Sequence, residues 1–331
     1  MSNAAKTAKT VLITGATAGI GRETALHLAQ AGYHVIATGR RAGELDKLRA
    51  EAPAGARLDT TLLDVTSADS IAAALVEVDR LTSGRGVDAL VNNAGFGLIG
   101  PLTEISDADL RRQYETNVFG LMAVTRAFVP QMRERGNGRV VNVSSMGGKM
   151  TFPFMGAYNS TKYAIESMSD ALRFELRPFG IHVVVIEPGA IHTNFAETSM
   201  APVNQYEHTV YGPAIARAKT LEKRMMSTAV GPKVVARAIQ KAISRRSPAA
   251  RYVAPWFGNL VLAMMAVTPT RVLDAVIRRI SFLTPKALRA DQVRGQGIGS
   301  GAAASAPRDL LPRTPAIIAS NVSSGTGLSR N

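Results

Sequence analysis

Tyr158 and Lys162 are the residues of this sequence whose types and spacing point most directly to chemistry. They are four positions apart, so on a helix their side chains share one face. A tyrosine hydroxyl has an ordinary pKa near 10 and is a poor acid–base group at neutral pH. A neighbouring lysine ammonium favours the phenolate, so we expect Lys162 to lower the pKa of Tyr158 toward the working range. The pair is predicted to transfer a proton, although on an arbitrary helix such a pair is usually solvent-exposed and has no catalytic role.

A glycine-rich segment near the N-terminus, residues 14–21, is the second chemical feature. Gly15, Gly19 and Gly21 follow a short apolar run and open an amphipathic one. Glycine lets the backbone turn tightly and approach a pyrophosphate closely, and the helix that follows offers free N–H groups to the anion. Between a strand and a helix, this segment favours dinucleotide binding over a plain loop.

Short β-branched apolar runs alternate with longer amphipathic segments through most of the chain. The predicted strands cover residues 11–13, 35–38, 58–65, 87–91, 139–144, 181–186 and 251–253. Their nearly continuous apolar character is typical of strands covered on both faces. Helical patterns cover residues 22–31, 70–81, 157–177 and 232–246. This alternation predicts an α/β fold, a doubly wound parallel sheet of Rossmann type in three αβα layers.

Several further motifs stand at the predicted strand ends. In chain order they are Asp64-Val65, Asn92-Asn93-Ala94-Gly95, Asn117, Ser144-Ser145, Tyr158 to Lys162, Pro188-Gly189 and Thr193. With three residues between Gly15 and Gly19, this series resembles the short-chain dehydrogenase/reductase family over roughly residues 10 to 255. The stretch around Tyr158 and Pro188-Gly189 looks most like the hydroxysteroid and retinol dehydrogenase branches.

The resemblance implies a nicotinamide-dependent oxidoreductase that interconverts an alcohol and a carbonyl. It makes Tyr158 the general acid/base, and Ser145, 13 residues earlier, a hydrogen-bond donor to the substrate oxygen. Lys162 would also bind the nicotinamide ribose, and Asn117 would hold a water that relays protons. Ser144 is less suitable than Ser145, since strand alternation points it the other way. The implied cofactor-binding residues are Gly15, Thr17, Gly19, Ile20, Gly21, Arg40, Asp64, Val65, Asn92, Ala94, Gly95, Tyr158, Lys162, Pro188, Gly189, Ile191 and Thr193.

The end of the second predicted strand indicates which nicotinamide cofactor is used. NAD enzymes of this architecture usually place a carboxylate there to bind the ribose 2′-hydroxyl. Here Arg40 and Arg41 follow Gly39, and Glu44 is the first carboxylate. The guanidinium of Arg40 matches a 2′-phosphate, so NADP(H) is favoured over NAD(H). The alternative is that both arginines form a solvated basic turn.

Apolar side chains surround the predicted site in the sequence and favour a hydrophobic alcohol or ketone, steroid-like, retinoid-like or fatty-chain. The candidate substrate residues are Phe96, Met146, Phe152, Met155 and Phe195. Each of them could instead pack the core. Residues 190–230 occupy the position of the family's substrate lid. We expect one catalytic domain over residues 1–255, a basic apolar extension over 256–290, and a disordered tail over 291–331.

The positive charge is concentrated behind the catalytic motifs. The chain of 331 residues has a formal net charge of +14. Residues 211–286 carry 14 basic and 2 acidic residues, a balance of +12. We hypothesise that residues 256–284 lie on an anionic membrane surface. A subunit contact or packing onto the domain is the competing interpretation. Nucleic-acid binding is not expected, since no binding motif accompanies the charge.

The composition narrows the remaining possibilities. Because the chain has no cysteine, disulfides, thiolate nucleophiles and cysteine-ligated metals are excluded, and no metal site is expected. The polar first ten residues predict no secretory signal, so a cytoplasmic location is expected. The family resemblance implies a homodimer or homotetramer. A non-catalytic NADP-binding scaffold or sensor remains an alternative, as does epimerisation or dehydration on the same fold.

Overall fold

Seven parallel strands form one sheet in the order β3-β2-β1-β4-β5-β6-β7. They are β1 (Thr10–Ile13), β2 (His34–Gly39), β3 (Leu58–Leu62), β4 (Ala89–Asn92), β5 (Gly138–Val143), β6 (Ile181–Pro188) and β7 (Arg251–Ala254). A computed structural model describes residues 8–288 of the chain. The strand order reverses direction between β1 and β4, where parallel sheets of this kind form a crevice at the carboxyl ends of their strands.

Helices cover both faces of the sheet. They are α1 (Gly19–Gln30), α2 (Ala42–Ala50), α3 (Ala68–Thr82), α4 (Asp107–Tyr114), α5 (Leu121–Glu134), α6 (Gly156–Leu176), α7 (Phe195–Met200), α8 (Gly212–Ser227), α9 (Lys233–Ser244), α10 (Gly258–Val267) and α11 (Thr270–Ile280). The predicted three-layer αβα fold is therefore confirmed.

Two hydrophobic cores, one on each face of the sheet, fix these layers. On one face Leu28 of α1 and Ile239 of α9 are fully buried against Val11 and Val35. On the other face Phe128 of α5 packs with residues of α3 against the sheet. The apolar stripe predicted for residues 232–246 is the buried face of α9. Each buried side chain of this size contributes roughly 1.5–3 kcal/mol, so the cores hold the strand ends in fixed positions.

The third strand differs from its prediction. Its pairing with β2 ends at Gly39 and Leu62, so Asp64 and Val65 lie in the turn before α3 and not at the end of the strand. β3 is an edge strand, and three of its five residues are only partly buried. An edge strand pairs only as far as its single neighbour extends, and sequence periodicity does not show where that neighbour ends.

Residues 190–230, the predicted lid, contain two helices and a 3₁₀ segment. α7, a 3₁₀ segment (Ala201–Tyr206) and α8 enclose a small cluster of their own, formed by Phe154, Val203, Tyr206, Ala214 and Ile215. The basic apolar extension is helical through α10 and α11. The tail predicted for 291–331 lies outside the described residues. Within residues 8–288, the structure contains no helix of the length and apolarity that crossing a membrane requires.

Candidate active site

The glycine-rich loop after β1 is packed so tightly at Gly15 and Gly21 that a side chain would not fit at either position. Gly15 has a φ of 65°, and a Cβ there would lie 2.8 Å from the Cα of Ala94. A Cβ on Gly21 would lie 2.3 Å from the Gly15 carbonyl oxygen and 2.4 Å from Nδ2 of Asn93. That Nδ2 donates to the carbonyls of Thr14 and Gly15, both at 3.0 Å. The turn after β4 therefore braces the loop after β1.

An open groove lies at the N-terminus of α1. The first backbone N–H groups of α1 are free to bind an anion, since Ala18 before the helix has no side-chain acceptor to cap them. The groove has a volume of about 390 Å³. Its lining residues are Thr17, Ala18, Gly19, Arg22, Glu23, Arg41, Glu44, His192, Thr193, Asn194 and Pro232. A glycine cradle, free N–H groups and two arginines fit a dinucleotide phosphate.

Several predicted cofactor residues lie in or beside this groove, and several do not. Thr17, Gly19 and Thr193 line it together. Arg40 is exposed at the end of β2, beside Asp64. Asn92 is 3% exposed and donates to Thr125 and Asn142 inside the sheet. Three apolar members, Ile20, Val65 and Ile191, pack in the hydrophobic cores, so only their backbones could reach a ligand.

Sequence reasoning did not single out Arg22, Arg41, His192 and Asn194, which the groove brings together. Arg41 was considered only as part of a basic turn. Arg22 follows Gly21 directly and had a usable signal, because a cation in the first turn of a phosphate-binding helix has a ready anionic partner.

Tyr158 and Lys162 lie on the buried side of α6. Tyr158 is 7% exposed and Lys162 is 6% exposed. Nζ of Lys162 donates to the Val143 carbonyl at 2.9 Å and lies 5.6 Å from the centre of the Tyr158 ring. Burial lowers the pKa of Lys162 to about 8, while Glu166, one turn along the helix, raises it. The two side chains share one face of the helix, as their spacing predicts.

The pKa of Tyr158 moves opposite to the direction expected from Lys162. Burial raises it to about 12, and a hydrogen bond from Ser145 lowers it only in part. Removing the phenolate from water disfavours its charged form more than the hydrogen bond from Ser145 favours it. Tyr158 therefore carries its proton at neutral pH.

Ser145 and Ser144 point in different directions after β5. Oγ of Ser145 accepts from the Gly147 N–H at 2.9 Å and lies 3.5 Å from the Pro188 carbonyl oxygen. Ser144 is 2% exposed and faces Gly148 and Glu166, beneath the loop. The structure thus places Ser145 beside Tyr158 at the carboxyl ends of β5 and β6, as strand alternation predicts.

Asn117 lies in a π-helical segment, Glu115–Gly120, between α4 and α5. Its Oδ1 accepts from the Phe96 N–H at 3.1 Å, and its Nδ2 donates to the Phe96 carbonyl at 2.9 Å and to Thr161 at 3.2 Å. One-turn π segments are rare in proteins, and those that occur are often found at functional sites. Asn117 thereby ties the loop after β4 to the α6 turn that carries Tyr158.

Of the predicted substrate residues, Phe195 is the one whose ring contacts Tyr158 among the contacts of the described residues. The ring of Phe195 lies 5.5 Å from that of Tyr158, centre to centre. Met146 is buried, Met155 and Phe96 are partly buried, and Phe152 is 38% exposed. Phe96 also faces the guanidinium of Arg112 at 5.5 Å. Apolar contacts around a buried hydroxyl pair suit a carbonyl compound with an apolar body.

Beneath the site lies a charge cluster that sequence reasoning missed. Glu166 and Glu187 are both nearly fully buried, and Nε of Arg251 lies 3.1 Å from the first and 3.3 Å from the second. Lys149 also pairs with Glu166, at 3.2 Å. Burial, with the charge of Glu166, raises the pKa of Glu187 to about 7. Glu166, Glu187 and Arg251 come from three separate elements and Lys149 from the loop after β5, so spacing along the chain gives no sign of the cluster.

This cluster predicts that Glu187 costs stability above neutral pH. Its folded pKa of about 7 exceeds the ordinary 4.5, so folding retains a proton that the unfolded chain loses. The stabilising contribution of this proton is complete below the pKa of the unfolded chain, and it is lost as pH rises through the pKa of the folded protein. Glu187→Gln stays neutral, so its free energy of unfolding should exceed the parent's by roughly 1–3 kcal/mol at pH 8, and by less at pH 5. Urea denaturation measures both.

Glu175→Gln, at an exposed position on α6, is the control and should match the parent at both pH values. Equal effects of Glu187→Gln at pH 5 and pH 8, or a loss of stability at pH 8, would contradict the shared burial of the two carboxylates.

Known proteins with similar sequences show which family this chain belongs to. The family model described as short chain dehydrogenase matches residues 9–203. The uncharacterized oxidoreductase YbbO of Escherichia coli is 37% identical over 270 residues, covering 82% of this chain and 94% of that protein. The NADPH-dependent 3-dehydrocapnine reductase of Ornithobacterium rhinotracheale is 30% identical, covering 80% and 94%. Human retinol dehydrogenase 5 is 32% identical, covering 85% and 90%, which confirms the likeness to that branch.

Solved structures agree with the sequence relatives. A short-chain dehydrogenase from Streptomyces avermitilis superposes with a TM-score of 0.65 at 32% identity, covering 89% of this chain and all of that one. The closed form of a serine dehydrogenase complexed with NADP+ gives a TM-score of 0.63 at 28% identity, covering 74% and 93%.

Proposed function

The chain belongs to the short-chain dehydrogenase/reductase family and is an oxidoreductase acting on CH–OH and C=O groups, and from this premise we propose that it reduces apolar carbonyl compounds with NADPH. The proposal is supported by the proximity of a cofactor groove and a pair of buried hydroxyl groups. The groove at the N-terminus of α1 and the buried hydroxyls of Tyr158 and Ser145 lie at the same edge of the sheet, where the strand order reverses.

The groove residues would hold the cofactor. The glycine cradle and the first turn of α1 would take the pyrophosphate, with Arg22, which here pairs with Glu51, as a counter-charge. When bound, the cofactor supplies the hydride that is added to the carbonyl carbon. The remaining steps belong to the protein.

In carbonyl reduction, negative charge develops on the substrate oxygen. The Ser145 hydroxyl donates a hydrogen bond to it, and the Tyr158 hydroxyl donates its proton. With its pKa raised to about 12, Tyr158 is protonated before the reaction and is prepared to act as the acid. Lys162, fixed by the Val143 carbonyl, supplies positive charge beside the phenolate that this step leaves. A protonated Tyr158 is the state that the reductive step requires.

The preference for NADPH rests on the basic turn after β2. Arg40 and Arg41 are both exposed there, and Arg41 also lines the groove. A guanidinium pairs well with a 2′-phosphate. A relative named as NADPH-dependent and a neighbour solved with NADP+ support the same choice.

Arg40→Asp should therefore weaken NADPH binding at least about tenfold and leave NADH within about threefold, since one charge-assisted contact is lost. Fluorescence titration of each reduced cofactor measures the change. Arg57→Asp, exposed at the start of β3 and so at the opposite edge of the sheet, should leave both affinities unchanged. Equal losses of affinity for the two cofactors would contradict the assignment of Arg40. A loss of NADPH affinity in Arg41→Asp alone would assign the contact with the 2′-phosphate to Arg41.

The substrate class is proposed from the wall of the site. Phe195, Met146 and Phe152 favour a hydrophobic body, and retinol dehydrogenase among the relatives is named for an apolar alcohol. The test is NADPH oxidation across matched ketones of increasing apolar length. Catalytic efficiency should rise with length, because each buried methylene adds about 0.8 kcal/mol. A non-catalytic scaffold or sensor would bind NADPH and oxidise it with none of them.

We also propose a cytoplasmic homodimer or homotetramer. Members of the family typically form oligomers, and a chain without cysteine suits a reducing compartment. On α6, the exposed rings of Tyr163 and Phe174 are available for a subunit contact.

A further inference from the structure

A continuous stretch of sequence after β7 exposes an unusual amount of apolar surface. Nine of the twenty exposed large hydrophobic side chains among residues 8–288 lie between positions 256 and 282. They are Trp256, Phe257, Leu260, Met264, Val267, Val272, Val276, Ile280 and Phe282. We call these nine side chains the apolar C-terminal face. Soluble proteins rarely leave so many neighbouring apolar side chains uncovered without a partner.

The two helices carry this face in different ways. α10 contains no charged residue, and Gly258 is its one buried residue. Leu260, 73% exposed, and Met264 and Val267 follow at the helical spacing of four and three. α11 is amphipathic, with Val272, Val276 and Ile280 in one row. Val261, Leu262 and Met265 of α10 are partly buried, so the row of Leu260, Met264 and Val267 is the surface that is available to a partner.

The apolar C-terminal face begins at the active site. A Cβ on Gly258 would lie 2.8 Å from Sδ of Met146, the residue after Ser145. A Cβ on Gly189, the residue after β6, would lie 3.0 Å from the same sulfur. The start of α10 therefore packs directly on the wall of the catalytic site.

The apolar C-terminal face ends at the substrate lid. Nε of Arg217 in α8 donates to the Ile280 carbonyl at 3.3 Å, and its guanidinium lies 5.1 Å from the centre of the Phe282 ring. Leu283 packs against the cluster of Val203, Tyr206 and Ile215 within the lid. The segment thus runs from the catalytic serine loop to the lid.

Basic residues accompany the apolar ones. α11 carries Arg271, Arg278 and Arg279 against a single carboxylate, Asp274, and all four are exposed. Lys223 and Arg224 are exposed on α8. Exposed apolar side chains beside a cationic surface are complementary to a bilayer interface that carries anionic headgroups.

We propose that the apolar C-terminal face docks on an anionic lipid surface, so that the substrate site opens toward the bilayer. The apolar side chains enter the headgroup region, while the arginines of α11 and the cations of α8 contact phosphate groups. The charge argues against a second copy as the occupant. Residues 256–286 carry four basic residues and one acidic residue, so face-to-face copies would bring like charges together. The docking goes beyond the proposed reaction, since it needs no particular substrate.

The experiment is co-sedimentation of the full chain with vesicles. Vesicles of equal phosphatidylglycerol and phosphatidylcholine are compared with vesicles of phosphatidylcholine alone. The protein should pellet with the first, less with the second, and less with either as salt rises. Leu260→Glu with Val276→Glu should lower the partition coefficient on anionic vesicles at least about tenfold. Arg271→Gln with Arg278→Gln should lower it on anionic vesicles and leave it unchanged on neutral ones.

Val76→Glu is the matched control, since Val76 is 71% exposed on α3, away from this segment. It should sediment as the parent does. NADPH titration of every variant verifies the fold and separates this proposal from the proposed function, which stands or falls on cofactor binding. Sedimentation retained by the Leu260→Glu, Val276→Glu variant would overturn the docking face. Dimers that form without vesicles and that dissociate in this variant would also overturn the proposal, because the occupant of the face would then be a second copy.

Discussion

Tyr158→Phe is expected to lower kcat/KM for carbonyl reduction on the order of a thousandfold, because the substrate oxygen loses its proton donor. Phenylalanine keeps the ring, so the contact with Phe195 at 5.5 Å is retained. NADPH affinity should change by no more than about fivefold, the value of one hydrogen bond. Steady-state kinetics with a ketone that the parent reduces, and fluorescence titration of NADPH, measure the two effects separately.

Tyr163→Phe is the control for this substitution. Tyr163 lies on the same helix five residues later and is 44% exposed, so the loss of its hydroxyl should leave kcat/KM unchanged. A Tyr158→Phe enzyme within tenfold of the parent would mean that another group donates the proton. Equal losses in both variants would mean that α6 is perturbed and not the chemistry.

Gly21→Ala is expected to damage cofactor binding and stability together. The added methyl would lie 2.3 Å from the Gly15 carbonyl oxygen and 2.4 Å from Nδ2 of Asn93, so the loop must shift. NADPH affinity should fall at least about tenfold as the cradle opens. The free energy of unfolding should fall by about 1–3 kcal/mol, the usual cost of overpacking. Titration of NADPH and urea denaturation report the two changes.

Gly43→Ala is the matched control, since Gly43 is also helical but, among residues 8–288, has no atom within 4 Å of an added Cβ. It should bind NADPH as the parent does and gain up to about 1 kcal/mol of stability, because alanine favours the helix. If Gly21→Ala behaved like Gly43→Ala, the loop would not be the tight cradle described.

Much of the fold and site could be predicted because the signals are local. β-branched runs indicated the five inner strands in order, and the spacing of Tyr158 and Lys162 placed both on one helical face. Strand alternation separated Ser145 from Ser144. The carboxyl ends of parallel strands meet at one edge, so motifs at those ends converge without knowledge of tertiary packing.

The remainder depends on packing across the chain. The pKa of Tyr158 is set by burial, which no spacing reveals, so its direction was predicted wrongly. The charge cluster joins Glu166, Glu187 and Arg251 from three elements. Asn92, at a strand end, is turned into the sheet by its partner Asn142 on β5. In each case long-range contacts decide what the local pattern leaves open.

The most direct test of the central claim is equilibrium binding of NADPH and NADH to the purified chain, measured side by side. It needs no knowledge of the substrate, and it probes the glycine cradle, the first turn of α1 and the basic turn after β2 at once. NADPH should bind at least about tenfold more tightly than NADH. Binding of neither cofactor would contradict the account, because the groove would then have no dinucleotide to hold beside Tyr158.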